Sequence, residues 1–124
     1  MNIIAIDFGT KNIGLAWCDT GIGAVLPFGV VKSANEAAKI INEEKSDLVL
    51  IGLPIGTDGQ ENNNTERVKK FADELKQNIK APMEFIDERF SSFAADRMGD
   101  GVSRDEKSAM LILETYLERA KNKQ

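Results

Sequence analysis

Four acids occupy positions where a carboxylate is expensive. Asp7 closes the continuous apolar run Ile3–Ile6, Asp87 and Glu88 close Met83–Ile86, and Asp105 opens the last amphipathic stretch. A lone charge at the end of a buried strand costs several kcal/mol to desolvate, so it needs hydrogen bonds, a cation or an open sheet end. Asp7, two residues before Gly9, also suits a turn. Asp105 lies within Ser103–Glu106, which has capping-box spacing, and an acid there favours the helix macrodipole. Yet Asp105 shares a helical face with Ala109, Ile112 and Tyr116, so it points along an apolar stripe, where acids seldom lack partners. If the first, fourth and fifth strands run parallel, Asp7, Pro54 and Asp87 emerge at one carboxyl edge, where open α/β sheets place ligands.

The chain contains no histidine and a single cysteine, Cys18. That excludes a histidine-dependent triad and a histidine-ligated zinc site, and leaves hydrolysis to carboxylates. Converging acids suit hard divalent cations. Mg²⁺ takes oxygen ligands and keeps several waters, so two or three carboxylates from separate elements suffice. Paired ions about 3.5–4 Å apart activate water and stabilise the leaving oxygen in phosphodiester cleavage.

The elements that carry these residues fit one domain. A length of 124 residues buries roughly two-thirds of the unfolded surface, and two domains of half that size would each be marginal. Apolar residues at 42% and charged residues at 29% are an ordinary globular balance. No apolar run approaches the ~20 residues of a bilayer span, and no basic region precedes the first strand as in a signal peptide. One unpaired cysteine fits a reducing cytoplasm. Sixteen basic against twenty acidic residues give a net charge of −4, a poor global match to a nucleic-acid binder. All five arginines, however, lie between Arg67 and Arg119, which leaves room for a local basic face.

Ile3–Ile6, Ile13–Cys18 and Val25–Val31 are separated by turn-like segments and read as an antiparallel meander. Ser33–Glu36 has capping-box spacing and opens a helix with Ala37, Ile40 and Ile41 inward. Asp47–Leu53 is a fully buried strand, followed by a glycine-rich loop from Pro54 to Gly59. Asn63–Glu66 repeats the box before the stripe Val68, Phe71, Ala72 and Leu75. Met83–Ile86 is a short fifth strand, Ser91–Met98 a candidate short helix, and Ser103 starts a long helix reaching about Arg119. A meander followed by β-α units makes an α/β sheet of mixed direction.

The run Ile6-Asp7-Phe8-Gly9-Thr10-Lys11-Asn12-Ile13-Gly14-Leu15-Ala16 resembles the YqgF family, also called RuvX. The resemblance continues through Gly52-Leu53-Pro54, Asp58-Gly59, Thr65-Glu66-Arg67-Val68, Asp87-Glu88-Arg89-Phe90-Ser91-Ser92, and Asp105 before Ala109–Leu113, in order along the whole chain. It implies a single RNase H-like domain over residues 1–124, with a five-stranded mixed sheet flanked by helices. It also implies a metal site made from Asp7, Asp87 or Glu88, and Asp105. Asn12 stands where the family usually has arginine, which removes one cation near that site. Ser91-Ser92 replaces a usual threonine pair, and the Met98–Arg104 segment is short.

The expected activity is metal-dependent hydrolysis of phosphodiesters in structured RNA, with one or two Mg²⁺ or Mn²⁺ ions. The resemblance points to 5′-end processing of precursor 16S rRNA in ribosome biogenesis, in the cytoplasm and away from membranes. Asp7, Glu88 and Asp105 are the candidate catalytic residues, and Asp87 joins them as a candidate metal ligand. Gly9, Thr10, Lys11, Arg67, Lys70, Arg89 and Ser91 are the candidate nucleic-acid contacts. Of the two glycines, Gly9 fits close approach to a phosphate and Gly14 fits turn geometry. Ribosomal particles are a further expected partner, and the chain would act as a monomer or homodimer. Alternatives are a Holliday-junction (branched DNA) resolvase, a non-catalytic nucleic-acid or ribosome-assembly binding module, and an actin-like ATPase half-domain suggested by Asp7–Thr10. The last needs two such domains to enclose a nucleotide, and the length opposes it.

Overall fold

The structure, a computed structural model, describes residues 1–9, 11–54, 63–88 and 101–122. Strands β1 (Asn2–Phe8), β2 (Ile13–Asp19) and β3 (Ala24–Val31) precede helix α1 (Ala34–Glu43) and strand β4 (Leu48–Pro54). Helix α2 (Asn63–Lys76), strand β5 (Met83–Glu88) and helix α3 (Arg104–Asn122) complete the described elements. The sheet has the order β3-β2-β1-β4-β5. β1, β2 and β3 pair antiparallel as a meander, whereas β1, β4 and β5 run parallel. The mixed five-stranded sheet is the one expected, and its parallel half brings Asp7, Pro54 and Asp87 to one edge. The segment read as a helix over Ser91–Met98 and the loop carrying Asp58-Gly59 lie outside the described residues.

Continuous apolar runs form β1 and β4 because both faces of these strands are covered. Ile4, Ile6, Val49, Ile51 and Leu53 pack with α1 and α2, through Ala37, Ile41, Val68 and Phe71. Ile3, Ala5, Leu48, Leu50 and Ile86 pack with Ala109, Ile112 and Leu113 of α3. Alternation along each strand divides its residues between these two layers. Each fully buried isoleucine or leucine contributes about 1.5–3 kcal/mol.

Caps set two of the helix starts. Ser33 Oγ accepts the Glu36 N–H at 3.2 Å, while Glu36 Oε2 accepts the Lys32 N–H at 2.8 Å. Ser103 and Glu106 form a reciprocal box, with the Glu106 N–H on Ser103 Oγ at 3.2 Å and the Ser103 N–H on Glu106 Oε1 at 3.4 Å. Asn63 is already helical, so α2 starts earlier than the Asn63–Glu66 spacing suggests. Thr65 serves a different end. It is fully buried, and its hydroxyl donates to the Pro54 carbonyl at 2.6 Å, tying α2 to the end of β4.

Candidate active site

β1 delivers Asp7 to the carboxyl edge and then turns sharply. The Gly9 N–H donates to the Asn12 carbonyl at 3.0 Å. A β-carbon on Gly9 would stand 2.6 Å from that oxygen, so the turn requires glycine. Asp105 Oδ1 lies 3.5 Å from the same position, which brings the α3 carboxylate to the turn.

Gly14 is a strand residue of β2, the cross-strand partner of Asp7, and not a turn residue. A β-carbon there would stand 2.1 Å from the Asp105 carbonyl oxygen, so the first turn of α3 sits directly on the strand. Close helix–strand approach accounts for this glycine. Paired antiparallel residues share a sheet face, and Asp7 also shares the parity of Ile3 and Ala5, which face α3. Asp7 and Asp105 therefore stand on one side of the sheet at one edge, both half-buried. The reciprocal box of Ser103 and Glu106 already closes the start of α3, which leaves the Asp105 carboxylate available for the turn.

The adjacent acids of β5 separate by parity. Asp87 pairs with Leu53 and has the parity of Met83, which packs with the α1/α2 layer. It is exposed, on the side away from α3. Glu88 pairs with Pro54, and its strand position has the parity of Ile86, in the α3 layer. Among the described residues no three histidine, cysteine or acidic side chains stand close enough to hold an ion. Two hard carboxylates on one face nevertheless match Mg²⁺, which takes one or two carboxylates together with substrate phosphates.

An open crevice beside Asp7 is lined by Phe8, Gly9, Pro54, Asn64, Arg67 and Val68. At about 170 Å³ it is smaller than the roughly 300–1,000 Å³ of pockets that enclose a drug-sized ligand. It suits a phosphate group at a surface better than an enclosed nucleotide. Arg67 lies with its guanidinium carbon 5.9 Å from the Phe8 ring centroid. Phe8 in turn stacks on Phe71 at 4.7 Å. The stack positions an exposed cation at the crevice, with about 0.5–1 kcal/mol from the cation–π contact.

Lys11 and Lys70 are exposed, Lys11 in the β1–β2 turn and Lys70 one turn along α2 from Arg67. Thr10, Arg89 and Ser91 lie outside the described residues. Lys32, which sequence reasoning passed over, sends its ammonium to Asn12 Oδ1. A cation from the end of β3 thus reaches the corner where Asn12 had implied one fewer. Trp17 is half-buried against the α1/α2 layer, and Cys18 is buried under α3. Burial pushes the Cys18 thiol pKa up, and the neighbouring Asp19 charge adds to the effect.

A family model described as "RuvX: Holliday junction resolvase" matches residues 1–119. A relative from Maridesulfovibrio salexigens, described as a candidate pre-16S rRNA nuclease, is 35% identical over 135 aligned positions, covering 97% of this chain and all of the relative. One from Serratia proteamaculans with the same description is 36% identical, covering 94% of each chain. Among solved structures, Thermus thermophilus RuvC in complex with a Holliday junction substrate superposes with a TM-score of 0.70. It shares 12% identity and covers 98% of this chain and 96% of its own, a likeness of fold. No helix among the described residues is long and apolar enough to cross a membrane.

Proposed function

The chain belongs to the RuvX family, and from that premise we propose that it is a cytoplasmic nuclease that hydrolyses phosphodiester bonds in precursor 16S rRNA. The reading rests on similarity along nearly the whole chain to relatives described in those terms, and on a fold shared with RuvC, whose structure holds a Holliday junction substrate. The observation that carries the chemistry is the seating of Asp105 on Gly14, opposite Asp7.

In this reading residues 1–124 act as one RNase H-like domain. Asp7, Glu88 and Asp105 would hold one or two divalent ions, Mg²⁺ or Mn²⁺, and Asp87 stays outside the set because of its strand parity. A divalent ion held there would supply Lewis-acid charge for water activation and leaving-group stabilisation. Arg67, held by Phe8, binds a phosphate at the crevice mouth, and Lys11 and Lys70 hold neighbouring phosphates as point charges. Gly9 keeps the turn backbone low enough for the strand to approach.

The test is cleavage of a precursor 16S 5′ leader and a four-way DNA junction, side by side, with Mg²⁺, with Mn²⁺ and with EDTA. Leader cleavage that EDTA abolishes is the expected result. Cleavage of the junction alone would transfer the activity to branched DNA, as the family description suggests. Binding of either without cleavage would make the chain a binding module.

A further inference from the structure

The Asn12–Lys32 contact has no role in the reading above, yet it lies on the same rim. Phe8 pairs with Ile13, and Ile13 pairs with Val31, so the three form one row across β1, β2 and β3. Gly9, Asn12 and Lys32 each stand one residue beyond that row. Asn12 joins the other two: its backbone carbonyl accepts the Gly9 N–H, and its side-chain oxygen accepts from Lys32 Nζ. The lysine ammonium is thereby anchored to the turn that receives Asp105. Two strand spacings, about 10 Å, separate β3 from β1.

The anchoring partner is a neutral amide, so the contact does not cancel the lysine's charge, and an ammonium has three donors. The nearby Glu36 carboxylate accepts the Lys32 backbone N–H. An anchored, exposed cation beside a phosphodiester-cutting edge has lost part of its conformational entropy before substrate arrives. Arg67 flanks Asp7 from the α2 side and Lys32 flanks the turn from the β3 side. A strand crossing the edge would pass between them.

We propose that Lys32 is a phosphate-binding residue that positions the RNA strand on the β3 side of the candidate active site. This rests on the nuclease reading above. Lys32→Gln keeps an amide donor for Asn12 Oδ1 and removes the charge, whereas Lys32→Arg keeps the charge. Binding is measured in Mg²⁺ on an Asp7→Asn background, using a fluorescein-labelled RNA hairpin with a 5′ extension, between about 50 and 200 mM salt. With Lys32→Gln the slope of log affinity against log salt becomes shallower by about 0.7–0.9, the signature of one lost phosphate contact. The loss is equal for hairpins of unrelated sequence, Lys32→Arg keeps the parental slope, and the melting temperature stays constant. An unchanged slope in Lys32→Gln overturns the proposal, as does a binding loss that tracks a fall in melting temperature. Wild-type cleavage of the 5′ leader, run alongside, separates the two levels. If the wild type cuts while the Lys32→Gln slope is parental, only the lysine assignment falls; if it neither binds nor cuts, both readings fall.

Discussion

The carbonyl oxygen of Asp105 lies 2.1 Å from where a β-carbon on Gly14 would stand. A helix start and a strand interior thus occupy space that only a hydrogen leaves open. Asp7 is paired across the sheet from Gly14, so the same contact sets where Asp105 stands relative to the Asp7 strand position. Two acids from opposite ends of the chain stand on one side of the sheet because one strand residue lacks a side chain.

Gly14→Ala should therefore destabilise the fold. Alanine in place of glycine ordinarily gains about 0.4–1 kcal/mol by restricting the unfolded chain. Here the methyl must displace the backbone of α3, an overpacking cost of about 1–3 kcal/mol, so the clash wins. Urea unfolding reads the balance, and cleavage should fall further than stability because Asp105 moves. A Gly14→Ala protein with the wild-type midpoint and rate would show that the helix does not rest there.

Much of this arrangement could be read from single residues and their periods. The runs Ile3–Ile6 and Asp47–Leu53 lack alternation because both sheet faces are covered, and the acids at strand ends follow from the same pattern. What remained hidden depends on registers between distant segments. Gly14 resembles any turn glycine until α3 is laid across β2. Asp87 and Glu88 are equivalent until pairing with Leu53 and Pro54 gives their strand positions opposite parity. Thr65 lies inside the Asn63–Glu66 box yet donates to Pro54, and Lys32 meets Asn12 only through pairing of β2 with β3. Local periodicity carries no information on such cross-chain contacts.

The two acids ending β5 should behave oppositely on substitution. Asp87→Asn alters an exposed carboxylate on the far face and should keep cleavage near wild type, with stability within about 0.5 kcal/mol. Glu88→Gln should reduce cleavage by at least about a hundredfold, the effect of several kcal/mol of lost transition-state stabilisation. Single-turnover rates on the 5′ leader decide it. Loss of activity in Asp87→Asn, with Glu88→Gln unaffected, would reverse the assignment.

Cys18 makes the stability depend on alkaline pH. Desolvation raises its thiol pKa above the ordinary 9.0 in the folded protein, with Asp19 adding to the rise. The folded state then holds its proton more tightly than the unfolded state. This contribution is fully present below the unfolded pKa and is lost as pH rises through the folded value. The urea midpoint should fall above about pH 9, and Cys18→Ala should flatten that fall at the cost of a small cavity. A thiol reagent should label native protein slowly, since the thiolate is scarce and buried. Rapid labelling at neutral pH would contradict the burial of Cys18 under α3.

Metal should report on Asp7 and Asp105 through stability before any substrate is added. Two carboxylates facing one edge repel each other, and an ion that binds only the folded state adds stability by mass action. At a hundredfold excess over its Kd, Mn²⁺ should add about 2.7 kcal/mol and raise the melting temperature accordingly. Asp7→Asn should lose the Mn²⁺ response. Asp105→Asn discriminates further. A helix-dipole acid would contribute about 0.3–1 kcal/mol, and its loss would leave an active protein that melts lower. Because Ser103 and Glu106 already cap α3, Asp105→Asn should instead hold or raise stability while cleavage collapses. An Asp105→Asn protein that melts lower, keeps its Mn²⁺ shift and cuts at the wild-type rate would return Asp105 to the role of a first-turn acid.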